Sequence, residues 1–372
     1  MQEVDLGALA HHVLWAAFAL AVLFGAIAQR TQFCTMGAVA DVVHMGDWTR
    51  MRMWSMAIGV AMIGFNAMVA LGWLEAGKSI YAAPRLMWLS MLVGGAMFSF
   101  GMVLASGCGS RALVRLGGGN LKSLVVFIVL ALSAFATLKG LTAVLRVATV
   151  DAVAVELPAG QDLPSLFAAA TGWPKLPLAG VLGASLGALL LAWAWAKPEG
   201  RGSDALLGGL GIGAVVAGVW WASGRLGYVP KDPNTLQETF VATNSHRMES
   251  LSFVAPVAYA IDWLMFFSDK SKTLTLGIVA TAGVIVGSAI VALATRRFRW
   301  EGFASVEDTA NHLAGAALMG VGGVTALGCT IGQGVSGVST LALGSFLALA
   351  AIVGGALLAL RYLGWRVERS MA

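Results

Sequence analysis

Residues 86–111 read LMWLSMLVGGAMFSFGMVLASGCGSR, and this stretch decides the fold class. From Leu86 to Ala105 it is apolar apart from two serines and carries no charge, long enough to cross the hydrocarbon core of a bilayer as an α-helix. The run then breaks at Ser106-Gly107-Cys108-Gly109-Ser110, and Arg111 follows directly. Non-helical backbone at membrane depth survives only where protein covers it or where it lines a water-filled cavity. A thiol placed at such a break is therefore a candidate contact for something passing through.

The rest of the chain has the same texture. It is 372 residues long, 58% hydrophobic and 12% charged, about half the usual charged fraction of a soluble domain. Mean hydropathy is +0.80. The apolar runs show no strand-type alternation, which excludes an outer-membrane barrel and leaves an all-α polytopic membrane protein. Spanning helices are expected near 8–28, 53–74, 86–106, 121–145, 177–196, 204–223, 273–295, 310–327 and 340–363, nine in all. Stretches near 33–45, 108–117 and 330–338 are helical in pattern but too short or polar to span, and 250–267 is ambiguous.

The net charge of +5 does not point to nucleic acid, because the basic residues are scattered among loops as orientation signals are. Nine spans place the termini on opposite sides. With the N-terminus outside, 14 of the 24 Lys and Arg residues fall inside. The expectation is a bacterial inner-membrane protein with a periplasmic N-terminus and a cytoplasmic C-terminus. Glu3 and Asp5 precede the first span without Lys or Arg, so the charged region of a cleavable signal is not expected. The membrane lipid is the one partner that composition alone requires.

Three cysteines, Cys34, Cys108 and Cys329, lie too far apart to read as a disulfide framework or zinc motif. The bland reading of each is a small inert apolar residue. Two of them share a context, however. Gly94-Gly95 leads into Gly107-Cys108, as Gly322-Gly323 leads into Gly328-Cys329, and small-residue stretches follow both. On the span count these segments approach from opposite faces, the arrangement of an inverted repeat with its site at mid-membrane. The expected organisation is a first repeat over 1–150, a polar linker over 151–176 and a second repeat over 177–372.

Three motifs in this order carry a resemblance. They are Phe33-Cys34 with Gly37, Ala38 and Asp41; Gly107-Cys108-Gly109-Ser110-Arg111 with Arg115, Gly119 and Lys122; and Gly328-Cys329-Thr330-Ile331-Gly332-Gln333-Gly334 with Gly337 and Ser339. Together they resemble the YeeE/YedE family of membrane sulfur transporters. The resemblance implies uptake of thiosulfate, or of a related sulfur or selenium compound, through a pseudo-symmetric hourglass with cysteines at its constrictions. It carries a pathway role onto Cys108 and Cys329, and onto Cys34. It also implies that a small cytosolic sulfur-carrier protein of the TusA type receives the product. The second-half segment facing the Cys34 region has no cysteine, so a role there falls to Ser252 or Thr243.

The chemistry fits. Thiosulfate is a dianion with three oxygens and one polarisable terminal sulfur, and burying it without partners is prohibitive. Helix N-termini offer oriented N–H groups, and thiols offer weak donors suited to a site that must also release. Arg111 has the planar fork that holds oxyanions; the other reading is a snorkelling anchor, which is favoured for Arg115. Thr330 and Gln333 read as polar lining, and Ser336 as helix–helix packing. Trp48, Trp54, Trp73, Trp220 and Trp221 suit interfacial belts. The methionines at 45, 51, 53, 56 and 62 read as lipid-facing or gap-filling. No cofactor or metal site is expected. Two other readings compete: a membrane sulfurtransferase carrying sulfane sulfur as a cysteine persulfide, which needs exposed thiolates, and a soft-metal permease.

Overall fold

The computed structural model describes residues 5–371 apart from 234 and 304; Glu3 lies outside the described residues. The first half comprises α1 (Leu6–Thr31), α2 (Thr35–Met45), α3 (Thr49–Ala70), α4 (Trp88–Leu104), α5 (Gly109–Gly117) and α6 (Leu121–Lys139). Next come α7 (Leu141–Ala148), α8 (Leu163–Thr171) and α9 (Lys175–Trp195). The second half is α10 (Ser203–Trp221), α11 (Ala255–Met265), α12 (Leu276–Ala294), α13 (Val306–Thr325), a π-turn segment Gly332–Gly337 and α14 (Leu343–Met371). The described residues also hold short helical turns at Ala76–Lys78, Pro198–Arg201 and Ala222–Leu226 and two two-stranded ribbons, β1 (Arg85–Leu86) with β2 (Val155–Glu156) and β3 (Tyr228–Val229) with β4 (Thr239–Phe240).

Among the described residues, eight stretches, those containing α1, α3, α4, α6, α9, α10, α12 and α14, are long and apolar enough to cross a membrane. The chain is an all-α, multi-pass membrane protein. The expected ninth span, 310–327, corresponds to α13, which is 20 residues long but opens on Glu307 and Asp308. It falls below that apolarity because it packs between α4 and α6 and needs little lipid-facing surface. The expected span 121–145 also ends early. Gly140 adopts extended backbone (φ −109°, ψ −152°), and α7 turns off it with Leu141, Val144 and Leu145 exposed.

Local sequence sets the helix starts. Asp5, Asn120, Asp162 and Ser305 each accept a first-turn N–H with their side chains, stabilising each start by roughly 1 kcal/mol. The packing partners then come in matched sets. α1 lies along α12 as α10 lies along α3, and α4 lies along α14 as α13 lies along α6. The short elements follow suit: α5 rests on α12 and α6, the π-turn segment on α3 and α14. Likewise α2 rests on α3 and α14, and α11 on α12 and α6. α9 has no such match and packs on α3.

At the centre α4 crosses α13 through bare backbone. A Cβ on Gly101 would stand 2.5 Å from the Gly315 carbonyl, and one on Gly322 would stand 2.7 Å from the Gly94 carbonyl. Gly94 facing Gly322 and Gly101 facing Gly315 means the two helices run antiparallel. The breaks that follow them, at Cys108 and Cys329, therefore open toward opposite faces.

The polar stretch 151–176 is tightly held. Gln161 and Asp162 are buried; the Gln161 side chain donates to the Ala83 carbonyl and accepts from the Gly344 N–H. It caps the turn that closes the π-turn segment. Trp54 and Trp220 are core residues rather than interfacial ones, because Trp220 stacks edge-on against Phe65 at 5.0 Å and donates to Ser339. Trp48, Trp73 and Trp221 are exposed. Of the methionines at 45, 51, 53, 56 and 62, Met53, Met56 and Met62 are buried in helix packing and Met45 is largely exposed.

Candidate functional site

All three cysteines sit in one kind of turn. The helix before each ends on a left-handed residue two positions ahead of the thiol: Gln32 (φ 54°), Ser106 (φ 55°) and Leu327 (φ 56°). The next N–H reaches back five residues, from Phe33 to the Ala28 carbonyl, Gly107 to Met102 and Gly328 to Gly323. That is the Schellman closure of a helix C-terminus, made here without glycine at the left-handed position. The cysteine then starts the next short element. Cys34 and Cys108 are the N-caps of α2 and α5. Each non-glycine left-handed residue costs about 1 kcal/mol or more. The same strained closure ends α12 at Arg296 (φ 54°), where Arg297 donates to the Ala292 carbonyl and no thiol follows, so what sets the three turns apart is the cysteine two positions on.

Side-chain contacts differ among the three. Cys34 is half-buried, and its Sγ accepts from the Gly37 N–H at 3.4 Å. Cys108 is buried, with Sγ 3.1 Å from the Ser110 hydroxyl. Cys329 is fully buried, and its Sγ accepts from the Gly332 N–H at 3.4 Å. The Cys108 turn is tied to the Cys34 turn, because Arg111 just after Cys108 donates to the Gln32 side chain just before Cys34. Beside two of the thiols are buried hydroxyls without hydrogen-bond partners, Thr35 and Thr330.

On the Cys108 side, α5 projects into a cavity of about 370 Å³ lined by Gln32, Gly107, Arg111, Arg115, Lys122, Arg297 and Arg299 among others. Arg111 donates from Nη2 to the Gln32 side-chain oxygen, and its Nη1 is buried without a partner. Arg115 donates to the Ser106 carbonyl at 2.9 Å. Glu301 and Asp308 also line this cavity, and Lys122 meets Asp308 at 2.7 Å. The cavity is net basic. A further cation lies at the Cys34 turn and has no sequence signal: Arg50, on α3, is held 3.3 Å from Asp41, and a Cβ on Gly37 would meet its guanidinium. Only the fold brings Arg50 over the turn that holds Cys34.

Gly109 is required by close approach, since a Cβ there would stand 2.8 Å from the Phe253 carbonyl. Gly119, at φ +95°, closes α5 in a backbone that other residues rarely adopt. Gly328 packs against Gln333. Gln333 is buried and donates to the Ala326 carbonyl at 2.6 Å, securing the end of α13, while its side-chain oxygen has no partner. Ser336 donates to the Leu251 carbonyl.

On the Cys329 side, a cavity of about 170 Å³ is lined by Ile80, Arg146, Glu249, Ser252, Tyr259 and Leu327 among others. Ser252 reaches the thiol's turn: a Cβ on Gly332 would lie 2.6 Å from its Oγ. Thr243 only closes a local turn onto the Phe240 carbonyl. The loop beside this cavity is clamped by Lys78, which pairs with Glu238 at 2.7 Å and Glu75 at 3.3 Å. Its hydrogen bond to Glu238 raises the Lys78 ammonium above its ordinary range and holds the Glu238 carboxyl below its own. Among the described residues no group of three or more His, Cys, Asp or Glu is placed to hold a metal ion.

Residues 30–358 match the family model described as sulphur transport. The chain is 26% identical over 323 residues, 84% of each chain, to the thiosulfate transporter TsuA of Escherichia coli (strain K12). It is 25% identical over 353 residues to the thiosulfate transporter TsuA of Spirochaeta thermophila, covering 90% of this chain and 94% of that one. With all three thiol turns inside the matched span, the chain belongs to the sulphur transport family, the YeeE/YedE family that its cysteine motifs resemble.

Proposed function

We propose that this protein carries thiosulfate across the bacterial inner membrane along its three thiols, entering at the Cys329 side and leaving through the basic cavity. The observation that carries this reading is that Cys329, Cys108 and Cys34 each sit at a broken helix of the same geometry, with the Cys108 and Cys34 turns joined by the Arg111–Gln32 hydrogen bond. The unpartnered hydroxyls of Thr35 and Thr330 and the free Nη1 of Arg111 are the donors an oxyanion would satisfy. The N–H groups at the start of α2 and α5 favour negative charge there. Thiols hold the terminal sulfur weakly, so each station releases as readily as it captures. The printed names of the two relatives support the choice of anion.

In this reading the N-terminus is periplasmic and the C-terminus cytoplasmic, so the cavity with Arg111, Arg115, Arg297 and Arg299 faces the cytosol. A small sulfur-carrier protein of the TusA type would collect the product there. The matched packing sets support an inverted repeat of α1–α6 and α10–α14, with α7–α9 as the connection. The protein acts as a transporter and not as an enzyme, and the thiols remain uncharged contacts. Burial of Cys108 and Cys329 favours this over a persulfide-carrying sulfurtransferase, which needs exposed thiolates.

Uptake of radiolabelled thiosulfate into liposomes holding this protein alone tests the proposal. Saturable accumulation, lost in a Cys108→Ala, Cys329→Ala double variant that still inserts, is the expected result. Equal uptake by that variant would overturn the thiol pathway, and a persulfide adduct recovered on Cys108 would favour the sulfurtransferase.

A further inference from the structure

We infer that the hydroxyl of Tyr81, with Ser252 beside it, recognises the oxygen atoms of the anion at the Cys329 mouth. This inference rests on the transport reading above and names the group that makes that mouth selective.

Tyr81 lies in the loop between α3 and α4, where no periodicity or motif singles it out. The structure fixes it firmly. Ile80 donates to the Met248 carbonyl and Met248 donates to the Lys78 carbonyl, while Ala82 donates to the Ser79 hydroxyl. The Lys78 clamp closes the same loop from outside. The ring packs edge-on against the buried Trp220, with centroids 6.1 Å apart. Two pinned loops and one aromatic contact thus aim a single hydroxyl inward.

That hydroxyl is an anomaly. Tyr81 is 2% exposed, and its OH makes no hydrogen bond of good geometry, although the Ser252 side chain lies beside it. Buried hydroxyls are normally satisfied, and one left open marks a place for a ligand or water. Its surroundings say which. A Cβ on Gly332 would meet the Ser252 Oγ at 2.6 Å and the Tyr81 OH at 3.2 Å. Gly332 is also the residue whose N–H points at the Cys329 Sγ. Tyr81, Ser252 and the thiol therefore converge on one backbone position, and Ser252 also opens onto the cavity that leads there.

The charges around this mouth explain why neutral donors are used. Glu249 lines the cavity with its carboxylate held by Ser245, and Arg146 lines it too, paired with Asp151. Among the described residues that line this cavity, Arg146 is the one cation, against five in the basic cavity. Recognition of oxygen atoms then falls to O–H donors, while the thiol faces the terminal sulfur. A purely structural Tyr81 would need its ring against Trp220 and not its hydroxyl, which gives a clean test.

The experiment compares wild type, Tyr81→Phe, Ser252→Ala and Ser252→Thr in liposomes, reading radiolabelled thiosulfate uptake against concentration and its inhibition by hydrosulfide, which has no oxygen. Tyr81→Phe should raise the thiosulfate KM about tenfold with maximal rate nearly unchanged, the size expected for a lost hydrogen bond to an anion. Hydrosulfide inhibition should not move. An unchanged KM overturns the inference, as does an equal weakening of hydrosulfide, which would mark a structural role. If Tyr81→Phe does not insert, the Ser252 pair decides: Ala must raise KM while Thr preserves it, and equal behaviour overturns the inference. Wild-type protein that takes up no thiosulfate would instead remove the transport reading itself, and this inference with it.

Discussion

The two segments that follow Cys108 and Cys329 occupy matching places in the packing and are built oppositely. α5 is a nine-residue helix carrying Arg111 and Arg115 into an open basic cavity. The Gly332–Gly337 segment is six residues of π-turn, all buried, with no charge. Both hang from the same strained turn, a left-handed residue two positions before the thiol. The difference teaches that the fold supplies two equivalent thiol positions and surrounds them with opposite chemistry, cations at one and neutral groups at the other. One mouth is lined by Arg111, Arg115, Lys122, Arg297 and Arg299; the other has hydroxyls and a single thiol deep in the protein.

The largest effects should come from the feature the two segments share. Cys108→Ala and Cys329→Ala are each expected to abolish thiosulfate-dependent growth with membrane expression intact; growth in either would break the equivalence. Cys34→Ala should be milder, since that thiol is half-buried and has Arg50 and Arg111 nearby. Equal loss in all three variants would place Cys34 on the same footing as the other two.

The next effect sharpens the difference between the mouths. Arg111→Ala should lower uptake about tenfold or more, the size of a lost charge-assisted hydrogen bond. Arg111→Lys should recover only part of it, because an ammonium cannot reproduce the fork that Gln32 orients. Full recovery by Lys would reduce Arg111 to a general positive charge. Steady-state uptake in liposomes reads both.

A smaller effect tests the turn itself. Ser106 is exposed and left-handed, so Ser106→Gly should relieve up to about 1 kcal/mol, offset in part by the freer unfolded chain. A modest rise in unfolding temperature in detergent is expected. A fall would show that the serine side chain, and not the backbone, matters at that position.

The smallest effect concerns the Lys78–Glu238 clamp over the Cys329 mouth. Glu238 has its pKa lowered by folding, so its contribution is present above its unfolded value and fades as pH falls through the folded one. Lys78 has its pKa raised, so its contribution is present below its unfolded value and fades as pH climbs through the folded one. The clamp is therefore intact across neutral pH and opens in acid. Glu238 is 48% exposed, so solvent screening keeps the pair below about 1 kcal/mol. Glu238→Gln should slightly increase proteolytic nicking of this loop at pH 7 and leave the acid behaviour flat; a retained acid transition would assign it to another group.

Much of this was readable beforehand because it is local. The expected spans fall on α1, α3, α4, α6, α9, α10, α12, α13 and α14, since transfer of apolar side chains depends on composition over one helix length. The breaks at Cys34, Cys108 and Cys329 were legible from glycine and polar residues interrupting apolar runs. Other features were not. The left-handed residues are Gln32, Ser106 and Leu327, none of which advertises that backbone, and Trp220 looked interfacial until packing buried it. That Gln333 donates to the Ala326 carbonyl, with its side-chain oxygen left open, is likewise a product of packing.

By itself, then, the sequence determined a polytopic helical membrane protein with thiols at three helix breaks, because hydrophobicity and chain-breaking residues act over a few turns. Only the tertiary structure decided that the three turns share one strained geometry, that Arg111 joins the Cys108 turn to the Cys34 turn, and that Arg50 lies by Cys34 and Tyr81 by Cys329. Those facts depend on contacts between residues far apart in the chain, such as Gly101 with Gly315 and Ile80 with Met248, whose pairing no local pattern encodes.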